Sequence, residues 1–333
     1  MTEQNTRIDV VGVGSPVVDL LAEVSEETLQ GVAGAKGGME LIDAEQMQAL
    51  LNYIGTTPTR GAGGSAGNTV FTVAEMGLKT TILGKLGDDE NGRFYRDQFA
   101  KVGGDTSRFK TAEGVPTARS LCLITPDSER TMRTDLGAAA TLAADEIGER
   151  DFQGCRLAHL EGYLLFNREL LYAVLQAAKA AGCTISMDLG SFEVVRIAED
   201  ILPQMLSDYV DIVFANEEEA AAYAKTDSPE EGLTSLGKSC SVVAVKMGGE
   251  GALLKDGQER CSVPAIKVED VVDTTGAGDI WASGFLYGYL KGHSLKACGE
   301  IAAVLGGEAV RQVGASLTPE CWADARERLP DSL

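Results

Sequence analysis

The chain has 333 residues, 44% hydrophobic and 6% aromatic, which suits two domains or one large domain with an appendage. Its 29 Lys and Arg stand against 50 Asp and Glu, a formal charge of -21. Such a surface repels phosphate backbones and anionic lipid heads and argues against nucleic-acid or membrane-surface binding. Seven scattered cysteines without a C-x-x-C pair argue against a disulfide framework, and two histidines cannot build a zinc-type cluster. No apolar run approaches the ~18 residues of a membrane span and no signal-peptide pattern opens the chain, so a cytoplasmic protein is expected.

Residues 8–13 read as a first central strand ending in Gly12-x-Gly14. A dinucleotide fingerprint asks for a third small residue at position 17, where Val17 stands, so a nicotinamide enzyme is not indicated. The chain continues extended to Val24, interrupted by Asp19 and Glu23. Asp19 is the better enclosed, and a carboxylate in apolar surroundings needs a partner or a ligand. Residues 37–42 suggest another strand, and Asp43 caps a helix. The glycine-rich stretch 61–69 starts a second helix and offers free amides, with Ser65 and Asn68 as donors or acceptors. A strand at 80–83 leads through 84–92 into a helix with Tyr95 and Phe99 on one face. Residues 116–136 form a hairpin about the turn cluster 125–129, with Arg130 and Arg133 on the return strand.

After Gly137 the pattern alternates, with strands at 157–160, 184–188, 211–215 and 242–246 and helices at 168–181 and within 192–208. Alternation of this kind predicts an α/β fold, a doubly wound mostly parallel sheet with helices on both faces. The extended segments 17–42 and 116–135 do not fit it and are expected to pair into a small β-sheet lid inserted in one domain spanning 1–333.

The most informative stretch is Asp273-Thr274-Thr275-Gly276-Ala277-Gly278-Asp279, with a β-branched run before it and Trp281, Phe285 and Tyr289 spaced helically after it. Read as a strand-to-helix junction, it presents free N–H groups at the positive end of a helix macrodipole, a natural anion site. Small side chains let phosphate oxygens reach those amides. Asp279 sits where a carboxylate could take a proton from an attacking hydroxyl, which points to phosphoryl transfer. A plain helix start with a first-turn Asp is the alternative. Ligands of doubly wound sheets gather at strand carboxyl ends, so Asp19, the loop 63–68, the turns at 216–219 and 246–251 and this motif can share one rim.

Four of these stretches together resemble the PfkB (ribokinase-like) carbohydrate kinase family. They are Gly63-Gly64-Ser65-x-x-Asn68, Gly84-Lys85-Leu86-Gly87-Asp88-Asp89-x-x-Gly92, Asn216-x-x-Glu219 and the 273–279 motif. The segments 14–19 and 116–132 look most like its adenosine-kinase-like branch. The resemblance implies ATP-dependent phosphorylation of an alcohol, usually a sugar hydroxymethyl, with Asp279 as catalytic base and the amides of Gly276, Ala277 and Gly278 as anion hole. It implies Arg130 near the transferred phosphate, and Asp19, Gly64 and Asn68 on the sugar hydroxyls. Asn216, Lys246, Gly248, Gly251 and Thr275 would lie about ATP. Glu219 would organise Mg2+ through water, and Asp273 with the loop near Gly314 would hold a monovalent cation such as K+.

A carboxylate at a helix N-terminus is expected to keep its charged form and act as a weak base. Adenosine kinases place an aromatic on the base where Leu164 aligns and a polar contact where Met39 aligns, so Met39, Met132 and Leu164 bear on whether a sugar or a nucleoside is the substrate. A non-catalytic binding member of the family is the third reading, opposed by the intact Asp279 and Asn216-x-x-Glu219. The expected partner is a small sugar or nucleoside, in a monomer or a homodimer formed through the lid.

Overall fold

The computed structural model describes residues 7–127 and 129–329. Its strands are β1 (Ile8–Val13), β2 (Val17–Glu23), β3 (Met39–Leu41), β4 (Thr59–Gly63), β5 (Thr80–Leu83), β6 (Lys85–Gly87), β7 (Lys110–Ala112), β8 (Arg119–Ile124), β9 (Arg130–Asp135), β10 (Cys155–Glu161), β11 (Thr184–Asp188), β12 (Ile212–Asn216), β13 (Val242–Lys246), β14 (Ala252–Asp256) and β15 (Glu259–Val263). Its α-helices are α1 (Glu26–Gln30), α2 (Ala44–Ile54), α3 (Ser65–Glu75), α4 (Glu90–Lys101), α5 (Arg168–Ala180), α6 (Phe192–Ile197), α7 (Leu202–Tyr209), α8 (Glu217–Ala224), α9 (Pro229–Leu236), α10 (Ala277–Lys291), α11 (Leu295–Ala309) and α12 (Pro319–Arg328).

The large sheet has eight strands in the order β15-β14-β13-β12-β11-β10-β1-β5. From β13 to β5 all neighbours run parallel, and β14 and β15 close one edge antiparallel. Consecutive residues point to opposite faces, and both faces are covered. Val11, Val13 and Leu160 pack with Leu171 and Val174 of α5 on one side. Val10, Leu157 and Phe214 pack with Trp281 and Phe285 of α10 on the other. This double burial is why the parallel strands read as near-continuous apolar runs. Trp281 and Phe285 stack at 5.8 Å, and Phe214 meets Phe285 edge-on at 5.4 Å, fixing α10 against the sheet.

A second, five-stranded sheet has the order β3-β9-β8-β2-β4. Its pairing places Asp19, Gly61, Ser120, Thr134 and Leu41 in one row, and Leu21, Cys122, Met132 and Met39 in the next row on the same face. The opposite face carries Val18, Leu20, Leu121 and Leu123, buried against Met47 and Ile54 of α2. Arg130 and Arg133 lie three residues apart on β9 and so leave by opposite faces. Arg133 is buried, donating to the carbonyls of Ala33, Gly38 and Met132, and serves packing. The chain crosses between the two sheets in two close pairs. A Cβ on Gly64 would meet the Ser15 carbonyl at 2.1 Å, and one on Gly137 the Pro116 carbonyl at 2.2 Å.

Three local expectations need correction. The glycine-rich stretch before α3 contains a strand, β4, because glycine at positions 61 and 63 leaves room for the Asp19 side chain across the pair. The helical region 192–208 is two helices, separated before Leu202-Pro203. Residues 268–272 form no strand, since Val272 N–H donates to the Val310 carbonyl (2.8 Å) and Val271 is 59% exposed. No helix among the described residues is long and apolar enough to cross a membrane.

Candidate active site

The 273–279 motif forms a tight turn into α10. Gly276 is the N-cap with φ 72°, a left-handed conformation, and a Cβ there would strike the Ala315 side chain at 2.3 Å. The expected row of free amides is interrupted, because Ala277 N–H donates to the Thr274 carbonyl at 3.1 Å and closes the turn. Asp279 stands one turn in, gripped from α3. Ser65 Oγ donates to one carboxylate oxygen at 2.7 Å and Asn68 Nδ2 to the other at 2.8 Å, while Thr69 Oγ1 donates to the Asp279 carbonyl. Two glycine-rich helix starts, about 210 residues apart in sequence, thus meet on one carboxyl group.

Electrostatics depart from the sequence expectation here. Burial pushes the Asp279 carboxyl up to about 7, with the Asp188 carboxylate adding to the rise; the donors Asn68 and Ser65 and the Lys246 ammonium oppose it. Desolvation outweighs the helix N-terminus. Lys246 ends β13 and pairs with Asp188 at 2.6 Å, both largely buried. A Cβ on Gly278 would lie 3.0 Å from the Lys246 ammonium, so that charge sits beside the 276–278 turn. Burial alone would lower the Lys246 pKa, but the Asp188 and Glu219 carboxylates raise it overall. Asn216 and Glu219 cap α8 reciprocally. Asn216 accepts from Glu219 N–H (2.8 Å), and Glu219 accepts from the Asn216 amide N–H (2.8 Å) and side chain (2.9 Å). Burial, then Asp188, shifts the Glu219 carboxyl upward.

The second sheet contributes Asp19, raised to about 7 by burial and held back in part by Arg130. Arg130 Nη2 lies 2.8 Å from Asp273 Oδ2, an ion pair by distance although its N–H misses hydrogen-bond geometry. Asp273 also accepts from the amides of Thr275 (3.0 Å) and Gly314 (2.8 Å). Gly248 borders open space, whereas a Cβ at Gly251 would strike the Val263 carbonyl, so Gly251 serves the turn into β14. Met132 is half-buried and Met39 is 50% exposed, on the sheet face that carries Arg130.

Leu164 requires correction. It is buried in the core with Leu165 and Leu170, because a 3-10 turn (Gly162–Phe166) follows β10 and reverses which side chains face the cleft. Tyr163 faces it instead. It is 42% exposed, and its hydroxyl is pushed up to about 12 by burial and by the charges of Asp279, Glu161, Asp188 and Glu219. Sequence reasoning also missed Asp188 and Glu161. Glu161 is buried, accepts from the amides of Ser15 (2.9 Å) and Ala66 (3.3 Å), and rises to about 7 through burial. The signal was available: each is the last residue of a parallel strand, at the rim where ligands bind.

The glycine turn into α10, the buried Asp279 carboxyl and the flanking Lys246 ammonium lie together at the carboxyl rim of the doubly wound sheet, where ligands of such folds bind. Residues 37–321 match the pfkB family carbohydrate kinase, and the chain belongs to that family. It is a phosphotransferase with an alcohol group as acceptor. The chain is similar to the structure of adenosine kinase from Sinorhizobium meliloti, with 32% identity and a TM-score of 0.85 over 97% of this chain and 99% of that one. It is equally similar to a probable sugar kinase from Rhizobium etli CFN 42, with 34% identity and a TM-score of 0.85 over 97% and 98%. The adenosine kinase of Saccharomyces cerevisiae is 24% identical over 93% of this chain and 97% of its own length.

Proposed function

We propose that the protein transfers the γ-phosphoryl group of ATP to a sugar hydroxymethyl group, with Asp279 as catalytic base. The observation that carries this reading is the grip of Ser65 and Asn68 on both oxygens of an Asp279 carboxyl whose pKa lies near 7. A base matched to neutral pH and fixed in orientation suits proton transfer from an alcohol. The hydroxyl oxygen bonds to the γ-phosphorus, the bond from phosphorus to the bridging oxygen breaks, ADP leaves with that electron pair, and the hydroxyl proton passes to Asp279. The amides of Gly276 and Gly278 receive the charge of the transferring group, with Lys246 beside them, and Ala277 N–H would join them only by leaving the Thr274 carbonyl. Asn68 spends its amide N–H on Asp279 and keeps its carbonyl oxygen for the sugar, alongside Asp19 and Gly64.

Mg2+ would enter with the nucleotide. No three acidic side chains converge on a metal position among the described residues, so Mg2+ would be held mainly by phosphate oxygens and water, as suits an ion that dehydrates reluctantly. Glu219 would hold it through water, and the ion would neutralise phosphate charge. The second sheet is read as a lid that excludes water from the hydroxyl's place.

A nucleoside acceptor is the second reading, favoured by one observation. The sheet face turned to the cleft is apolar in the row Leu21, Cys122, Met132 and Met39, and the Tyr163 ring stands at the rim, surfaces that a bare sugar does not need. ADP release from ATP and Mg2+ with ribose, fructose, 2-keto-3-deoxygluconate, adenosine, inosine or cytidine tests both. Release with one of these supports the proposal and chooses the class. No release with any acceptor, while ATP is bound, overturns it.

A further inference from the structure

We propose that Arg130 takes the place of a monovalent cation at Asp273, so that the protein needs none. The family resemblance implies such an ion between Asp273 and the loop near Gly314, and the residues there do not fit it. A bound cation needs a cage of free oxygen atoms. What converges on Asp273 is a set of donors: the amide of Thr275 at 3.0 Å, the amide of Gly314 at 2.8 Å and the Arg130 guanidinium at 2.8 Å. Two carbonyls that flank the loop are committed as well. Val310 O accepts from Val272 N–H at 2.8 Å and Asp273 N–H at 3.4 Å, and Ser316 O accepts from the Gln312 side chain.

The Arg130 and Asp273 side chains are 11% and 7% exposed, so the pair is screened little by solvent or salt. A guanidinium is charged at every working pH and cannot dissociate from the chain. It therefore supplies permanently the positive charge that a diffusible ion would supply by mass action. Arg130 comes from β9 of the second sheet and Asp273 from the anion turn of the large one, so the pair also fixes the distance between those parts.

The test compares KCl with choline chloride at matched ionic strength. For the wild type, the melting temperature is expected to be the same in both, and turnover to differ by less than about two-fold. Arg130→Met frees the Asp273 carboxylate and is expected to gain K+-dependent stabilisation, with turnover rising at least about five-fold in K+, the lower end of ordinary coupling between sites. Arg130→Lys, which keeps a charge, serves if the methionine variant does not fold, and is expected to stay insensitive to K+. A wild-type melting temperature or turnover that rises clearly in K+ overturns the proposal, as does an Arg130→Met protein indifferent to K+. The melting arm requires no substrate, so its outcome is independent of the phosphoryl-transfer reading.

Discussion

Replacing Asp279 with Asn separates chemistry from architecture, because the pocket can accept the amide. Asn68 Nδ2 is a fixed donor and would take the new carbonyl oxygen, while Ser65 Oγ can reverse and accept from the new NH2. Both hydrogen bonds survive and only the proton acceptor is lost. Two effects of opposite sign follow. Turnover is expected to fall by ~10²–10⁴-fold, the usual contribution of a general base, with ATP affinity nearly unchanged. Stability is expected to rise. The carboxyl moves from the ordinary 3.8 to about 7 on folding, so at pH 8 the native state carries a buried charge. Holding that charge in the fold at pH 8 costs up to roughly 4 kcal/mol, an upper bound because the residue keeps some solvent contact. Steady-state kinetics, nucleotide titration and thermal melting at pH 8 measure all three quantities on one preparation. Turnover within about ten-fold of wild type, or a loss of turnover accompanied by a lower melting temperature, would refute the reasoning.

The unliganded wild type should grow more stable as pH falls from 8 towards 5. Asp19, Glu161 and Asp279 have folded pKa values near 7, above their unfolded values, so the native state binds more protons across that window; a melting curve flat or falling over it contradicts the assignment. Lys246→Met leaves Asp188 buried without its partner and should destabilise the fold by ~3–5 kcal/mol. It should also move the acid limb of the pH–rate profile to higher pH, because Lys246 holds the Asp279 and Glu219 carboxyls down; an unmoved limb would show that the lysine is only structural. Gly276→Ala combines a left-handed backbone with a 2.3 Å overlap on Ala315. It should cost at least ~1–2 kcal/mol by denaturant titration and abolish turnover.

The parts legible in the sequence were those fixed by backbone chemistry. The alternation of apolar runs and helices gave the large sheet, and the glycine-rich helix starts marked the two stretches that bring Ser65, Asn68 and Asp279 together. Side-chain direction was harder. Leu164 is buried and Tyr163 exposed because the 3-10 turn after β10 breaks the two-residue alternation that a strand would keep. Electrostatics were harder still, since the helix N-terminus beside Asp279 is visible in sequence while the desolvation that overrides it depends on residues from α3, β11 and β13. Asp188, Glu161 and the Arg130–Asp273 pair are likewise contacts between distant segments, and single residues carry no mark of them. Residues 268–272 have strand composition but bond to Val310 rather than to a sheet edge.

The two close backbone crossings at Ser15 with Gly64 and Pro116 with Gly137 have a mechanical meaning. At each crossing two passages of chain lie backbone on backbone, with no side chain between them to give way. Asp19, Met132 and Arg130 therefore ride on a surface whose seat against the large sheet is set by main-chain contact, so substitutions on that surface should change what it presents more readily than where it stands.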